Sequence, residues 1–128
     1  MAAIVTRAGK GSALTHAEVD ANFNNLGNAV PDAYIQTATP ATGDSITITN
    51  TTSTLILKHT ATIATLAIVL PAAPSNGQIV HVCTRSTVTT LTLSANTGQT
   101  RYGAPTTITP TSQIGFIYEA ATLSWYRF

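Results

Sequence analysis

The sequence predicts a mainly β protein: a single antiparallel β-sandwich or jelly-roll-like domain, preceded by an N-terminal arm and one short helix. Threonine occupies 25 of the 128 positions, and a β-branched side chain with a hydroxyl suits the wet face of a sheet. Short runs of alternating apolar and polar residues recur from residue 32 onward. Only 9% of residues are charged and 44% are hydrophobic, a composition that excludes intrinsic disorder.

The first 31 residues are predicted to form a flexible arm followed by a docking helix. Thr15 and Glu18 have the spacing of a capping box, in which each side chain accepts the other residue's backbone amide. Leu14 and Val19 flank the box as a hydrophobic staple. The helix is therefore expected to begin after Thr15, and Gly27 is expected to end it.

The apolar residues of this helix fall on one narrow stripe. Val19, Phe23 and Leu26 recur at helical spacing, and a helix of about three turns is marginal alone in water. The stripe must therefore pack either on its own β domain or on a neighbouring chain. The residues of the predicted docking surface are Leu14, Thr15, Glu18, Val19, Phe23 and Leu26.

Residues 32–128 are predicted to form the β domain. Alternation predicts strands over residues 34–38, 44–50, 53–59, 61–70, 78–84, 88–95, 106–109, 113–119 and 123–128. Turn residues separate them, most clearly in the proline-rich segment that closes on Asn76 and Gly77. Short strands at such even spacing are typical of a sandwich or a jelly roll.

Aromatic residues concentrate at the C-terminal end of the chain. The ones in the final strands are Phe116, Tyr118, Trp125, Tyr126 and Phe128. The favoured interpretation is a hairpin that closes the core. A subunit interface and a platform for a sugar are the alternatives, and the sequence leaves all three open.

Few residues are suited to catalysis. Asp44 and Glu119 would be the pair for a glycosidase, but no motif aligns them. The histidines at positions 16, 59 and 81 have no metal-ligand spacing. We expect no enzyme activity, no metal and no cofactor.

Charge and cysteine content exclude several other classes. The net charge of +1 does not provide a polybasic surface for nucleic acid, and the longest apolar run, residues 63–70, is too short to span a membrane. Cys83 has no partner for a disulfide and is expected to be a small buried hydrophobe. Residues 1–10 lack the apolar stretch of a secretory signal, so folding in a reducing cytoplasm without export by the general secretory route is expected.

Two stretches resemble bacteriophage virion structural proteins. Residues 10–26, KGSALTHAEVDANFNNL, are similar to the opening of tail-fibre-like proteins, KGxxLTxxExDxNFxNL. The second stretch resembles a β module of fibre and head-decoration proteins. It contains Leu70-Pro71, Asn76-Gly77-Gln78, Leu91-Thr92-Leu93, Gly98-Gln99, Gly103, Phe116-Ile117-Tyr118 and Trp125-Tyr126.

The resemblance implies a homotrimeric virion protein that docks by its N-terminal part and is exposed on the particle surface. A compact chain of 128 residues cannot reach far, so a capsid decoration (cement) protein is favoured over a short tail fibre or fibre adaptor. The implied partners are copies of itself and the major capsid protein or other virion proteins. A third alternative is a receptor module that binds a host surface glycan through Trp125 and Tyr126.

Overall fold

The computed structural model describes residues 6–29 and 34–128, with the side chains of residues 25–29 outside that description. The chain divides into two compact units, Met1–Asp32 and Ala33–Phe128. The division falls where the sequence pattern changes from helical to alternating. Pro31, at this division, lies outside the described residues.

The N-terminal unit contains two helices among its described residues, α1 (Arg7–Lys10) and α2 (His16–Ala29). The predicted flexible arm therefore includes one helical turn at α1. Helix α2 continues through Gly27, which was expected to end it, and reaches Ala29. A glycine inside a helix costs only about 1 kcal/mol relative to alanine, which destabilises a helix without terminating it.

Nine strands lie in the described part of the β unit. They are β1 (Ile35–Ala38), β2 (Asp44–Thr47), β3 (Thr54–Leu57), β4 (Ile63–Val69), β5 (Ile79–Thr84), β6 (Val88–Ser94), β7 (Thr100–Tyr102), β8 (Ile114–Glu119) and β9 (Ser124–Arg127). They form a six-stranded sheet of order β1-β3-β5-β8-β9-β7 and a three-stranded sheet of order β2-β4-β6. The mainly β class predicted from the sequence is confirmed.

The strands are connected differently from the antiparallel jelly-roll-like domain that the sequence predicted. The chain passes alternately between the sheets, and β1, β3 and β5 pair in parallel, as do β2, β4 and β6. This gives three stacked coils of a solenoid-like arrangement. Antiparallel pairing between strands is confined to β5–β8 and β8–β9 in the described residues. Local alternation shows which residues face inward, but it is the same for a hairpin and for a coil.

The core lies between the two sheets and receives residues from both. Its buried hydrophobic members are Ile48, Leu55, Leu57, Ile63, Leu66, Ile68, Leu70, Val80, Val82, Val88, Leu91, Leu93, Ile108, Ile114, Phe116, Tyr118 and Trp125. Equivalent residues stack in register from coil to coil, as Leu66 does on Leu91 and Ile46 on Ile68. In the central strands β3 and β5, alternate side chains thus enter the core while the others lie on an outer face.

The two ends of the coil stack differ: β1 and β2 are the outermost strands at the first coil, whereas further chain pairs with β5 and β6 at the last. At the first coil, Gln36 occupies the register position of Leu55 in the next coil. The amide of Gln36 donates to the Thr47 carbonyl (3.0 Å) and accepts the Thr49 amide (3.0 Å). At the last coil, β8 covers β5, and a bridge between Val88 and Ile108 covers β6. A polar side chain at one end and an antiparallel strand at the other do not continue the apolar stack.

Candidate interaction surfaces

The capping box that begins α2 forms as predicted. The Thr15 amide donates to Glu18 Oε2 at 2.8 Å, and the Glu18 amide donates to Thr15 Oγ1 at 3.2 Å. Lys10, at the end of α1, donates to the same carboxylate and to the Ala13 carbonyl. The Lys10 ammonium, and after it the Thr15 amide, lower the pKa of Glu18 below the usual value of a carboxyl.

The apolar stripe of α2 is exposed. Phe23 is 70% exposed and Val19 37%, while Leu14 is half-buried beside the cap. The side chain of Leu26 lies outside the described residues. Covering such an exposed apolar stripe would stabilise the helix, which is marginal alone in water.

The C-terminal aromatic residues separate into core and surface. Phe116, Tyr118 and Trp125 are buried. Trp125 Nε1 donates to Gln99 Oε1 at 2.9 Å, and the amide nitrogen of Gln99 donates to the Pro71 carbonyl (3.1 Å). Trp125 therefore has a structural role and cannot stack against a sugar, which corrects the glycan-binding alternative as far as it depends on this residue.

Tyr126 and Phe128 face solvent on the outer side of the six-stranded sheet. Phe128 is 62% exposed, and its ring lies on Gly115, where an added Cβ would come within 2.8 Å of it. The Phe128 amide donates to the Gly115 carbonyl (3.0 Å), and the His81 ring meets the Phe128 ring edge-on at 5.7 Å. Glycine at position 115 is what allows the terminal ring to lie against its own sheet.

A row of large side chains, which we call the apolar ridge, crosses the same outer face. It consists of Ile79, Ile117, Tyr126 and Tyr102, which are aligned in register on four neighbouring strands. Their side chains are between 38% and 53% exposed. The rings of Tyr102 and Tyr126 are stacked, with centroids 5.2 Å apart and planes 14° apart. Sequence alternation identified parts of this row, but only the strand order aligns it.

A groove of about 390 Å³ lies beside the ridge. It runs over β3, β5 and β8, and Gly115 contributes no side chain to fill it. Its side-chain lining is formed by Thr54, His81, Cys83, Ser112, Gln113 and Phe128. Cys83 is exposed here, contrary to the expectation of a buried residue. Val80 and Val82 take the inward positions of β5, so His81 and Cys83 point outward.

The outer face of the three-stranded sheet is different in chemistry. Its exposed positions include Ser45, Thr65, Thr90 and Thr92, with Thr65 and Thr90 in register on adjacent strands. Small and hydroxyl-bearing side chains give this face a polar surface that water can solvate. We call it the hydroxyl face.

The residues considered for catalysis are dispersed. Asp44 begins β2 and accepts the Ala41 amide (2.8 Å), whereas Glu119 ends β8 in the other sheet and accepts the Thr122 hydroxyl (3.1 Å). Each carboxylate is held in its own turn. His16 is exposed at the start of α2, and His59 is buried between β3 and β4.

Two further properties concern metal binding and membrane spanning in residues 6–29 and 34–128. In that part of the chain, no group of three or more His, Cys, Asp or Glu side chains is placed to hold a metal ion. Neither described helix has the length and hydropathy of a membrane-spanning segment.

Comparisons with known proteins found no match to the chain among protein-family models, curated proteins or solved structures. The candidate surfaces therefore have to be interpreted from their own chemistry.

Proposed function

We propose that the protein is a non-enzymatic structural component of a bacteriophage particle, a homotrimeric capsid decoration protein that docks through its N-terminal unit. The observation that carries this proposal is the separate N-terminal unit whose capped helix exposes Phe23. The resemblance of residues 10–26 to tail-fibre-like proteins supports it, since the matching residues include the capping box and the stripe.

The energetic argument begins with the helix. An isolated helix of 14 residues is marginal in water, and burying one large apolar side chain contributes about 1.5–3 kcal/mol. Covering Phe23 and Val19 on a particle would thus stabilise the contact and the helix together. The capping box and the Lys10 contact fix where the helix begins, so the stripe is presented in a defined direction.

The solvent-exposed side chains of the β unit support a structural role. Its hydroxyl face is polar and nearly uncharged, which suits a surface displayed on a particle. Its acidic and basic side chains are scattered, and the carboxylates of Asp44 and Glu119 are engaged in local turns. These features favour a structural protein over a hydrolase.

Docking can be tested with particles prepared without this protein. Phe23→Ala should reduce binding in a co-sedimentation assay at least tenfold, which corresponds to about 1.4 kcal/mol. Asn24→Ala is the matched control, because it changes the adjacent exposed position of the same helix. Equal binding by wild type and Phe23→Ala, or equal loss by Asn24→Ala, would contradict docking by the stripe.

Copy number separates the capsid from the tail. A number that scales with the count of capsid subunits would place the protein on the head, as we propose. One set per tail would instead support the short tail fibre or fibre adaptor. Quantitative mass spectrometry of purified particles measures this ratio directly.

A further inference from the structure

We infer that copies of this chain associate through the outer face of the six-stranded sheet, with the apolar ridge of one copy seated in the groove of the next. The inference deepens the proposed function by assigning a surface to self-association. It rests on that proposal only for the number of copies, three.

The exposed area of this face is that of an interface. With roughly 200 Å² for a fully exposed large side chain, the ridge and Phe128 together expose about 450 Å². That lies in the middle of the range for the largest apolar patch of a monomer, ~300–600 Å², a patch that is often functional. A stable interface takes about 800 Å² from each partner, so these five residues supply more than half of it. The walls of the groove can supply the rest.

The charge pattern favours a second copy as the partner. The described residues of the ridge and the groove include no acidic or basic side chain other than the imidazole of His81. Glu119 borders the face, and the Thr122 hydroxyl donates to it. Lys58 and Arg85 lie beyond the ends of β3 and β5, outside the ridge and the groove lining. The uncharged ridge and groove can meet their own copies without like-charge repulsion, and they offer no charge to attract a charged partner.

The face carries both a row of large side chains and an adjacent groove. The ridge projects from β5, β8, β9 and β7, and the groove lies beside it over β3, β5 and β8. A projecting row and an adjacent depression on one surface allow a head-to-tail contact, which closes into a ring when the rotation between copies is suitable.

The covered last coil disfavours continuation of the coil stack from one copy to the next. The Gln36 amide and the Thr49 and Thr52 hydroxyl groups lie in the first coil, and β8 covers β5 in the last. A first coil of one copy would therefore find the β5 edge of the next copy already paired. The ridge runs along the stacking direction for roughly 14 Å, three inter-strand spacings, so it lies parallel to the axis of a side-by-side ring.

The first test is the mass of the full chain in solution by light scattering. The wild type should have three times the mass of one chain, and Ile117→Glu should reduce it to the single-chain mass. Thr92→Glu is the control, since it places the same charge on an exposed strand position of the hydroxyl face. A trimer that Ile117→Glu leaves intact, or that Thr92→Glu dissociates, would overturn the inference.

The second test uses Cys83, which is exposed in the groove. In Tyr126→Cys the two thiols of one chain lie on strands separated by β8 and about 16 Å apart, too far for a disulfide within the chain. Mild oxidation should therefore give covalent trimers on a denaturing gel. Thr92→Cys should give none. Covalent dimers of the wild type, formed by Cys83 alone, would indicate a two-fold contact and overturn the ridge-in-groove ring.

The outcomes distinguish this inference from the proposed function. If the wild type is a single chain in solution yet binds particles through Phe23, self-association by this face is wrong and docking stands. If Tyr126→Cys yields covalent trimers while Phe23→Ala binds particles normally, the interface stands and docking by the stripe is wrong.

Discussion

The two outer faces of the β unit are built from the same alternating strands but have opposite chemistry. On the hydroxyl face, Thr65 pairs with Thr90 at exposed positions. On the six-stranded sheet, Tyr102 pairs with Tyr126 at equally outward positions. Both faces cover the same core, so folding does not require their outward side chains to differ in this way. The large apolar side chains on one face alone are the observation on which the proposed self-association rests.

The largest expected effect tests whether the two faces depend on the same core. Trp125→Ala should lower the free energy of unfolding by about 3–5 kcal/mol, because it leaves a cavity between the sheets. Denaturant unfolding followed by circular dichroism measures this change. Trp125→Phe keeps most of the volume and removes the bond to Gln99 Oε1, so it should cost less. Equal losses in the two variants would show that the hydrogen bond, and not the volume, dominates.

A second prediction concerns the corner where the chain crosses from one sheet to the other. His59 lies there at 3% exposure, and neither ring nitrogen has a hydrogen-bond partner among the described residues. An unsatisfied buried polar group costs about 1–3 kcal/mol. His59→Leu should therefore raise the free energy of unfolding by a similar amount. His81→Leu, at an exposed position, is the control and should change stability little. Destabilisation by His59→Leu would mean that the imidazole has a partner or that leucine does not fit.

The sequence predicted most strands and missed how they connect. Eight of the nine described strands overlap predicted segments, since inward and outward alternation is a local property. The exception is β7, whose three residues are recognisable only through their pairing with β9. The predicted strand at residues 106–109 is reduced to the bridge at Ile108.

Parallel stacking did leave a signal in the sequence. Ile46, Ile68 and Leu93 are apolar residues at equivalent register positions of successive coils, about two dozen residues apart, which is typical of coils in a solenoid. The signal is weak because the first coil is short and the loops between coils differ in length. The same alternation places Cys83 outward because Val80 and Val82 point inward. Burial was expected because free cysteines in general are among the most buried residues.

The candidate surfaces were predicted unequally. The capping box was predicted residue by residue, because it depends on contacts within four positions of one helix. The apolar ridge could not be, since its four residues come from four strands that only the fold aligns. Alternation places Trp125 and Tyr126 on opposite faces of their strand, but only the fold shows that the Trp125 side is the buried one.

A smaller expected effect is the difference in coupling energy between one cross-strand pair on each of the two faces. The coupling between Tyr102 and Tyr126, measured by a double-mutant cycle to alanine, should be about 0.5–1.5 kcal/mol because the rings stack. The coupling between Thr65 and Thr90 should fall toward the lower end of the ~0.2–1 kcal/mol found for cross-strand pairs. A threonine coupling as large as the tyrosine coupling would remove the energetic contrast between the faces.

The smallest expected effect on stability lies in the N-terminal unit, where the start of α2 is stabilised by an ion pair and by the hydrogen bonds of the capping box. The Lys10 ammonium, followed by the Thr15 amide, lowers the pKa of Glu18 in the folded helix. The box therefore stabilises α2 at pH values above the unfolded pKa of this carboxyl. That contribution is lost as the pH falls through the lower, folded pKa.

Amide chemical shifts of α2, followed by NMR during acidification, should show loss of helix in this acidic range. Glu18→Gln should weaken the helix near neutral pH and flatten the acid transition. Asp20→Asn removes a carboxylate one residue beyond Val19 without disturbing the box, so it should retain the transition. A transition that persists in Glu18→Gln and disappears in Asp20→Asn would show that the box does not set the acid stability of the helix.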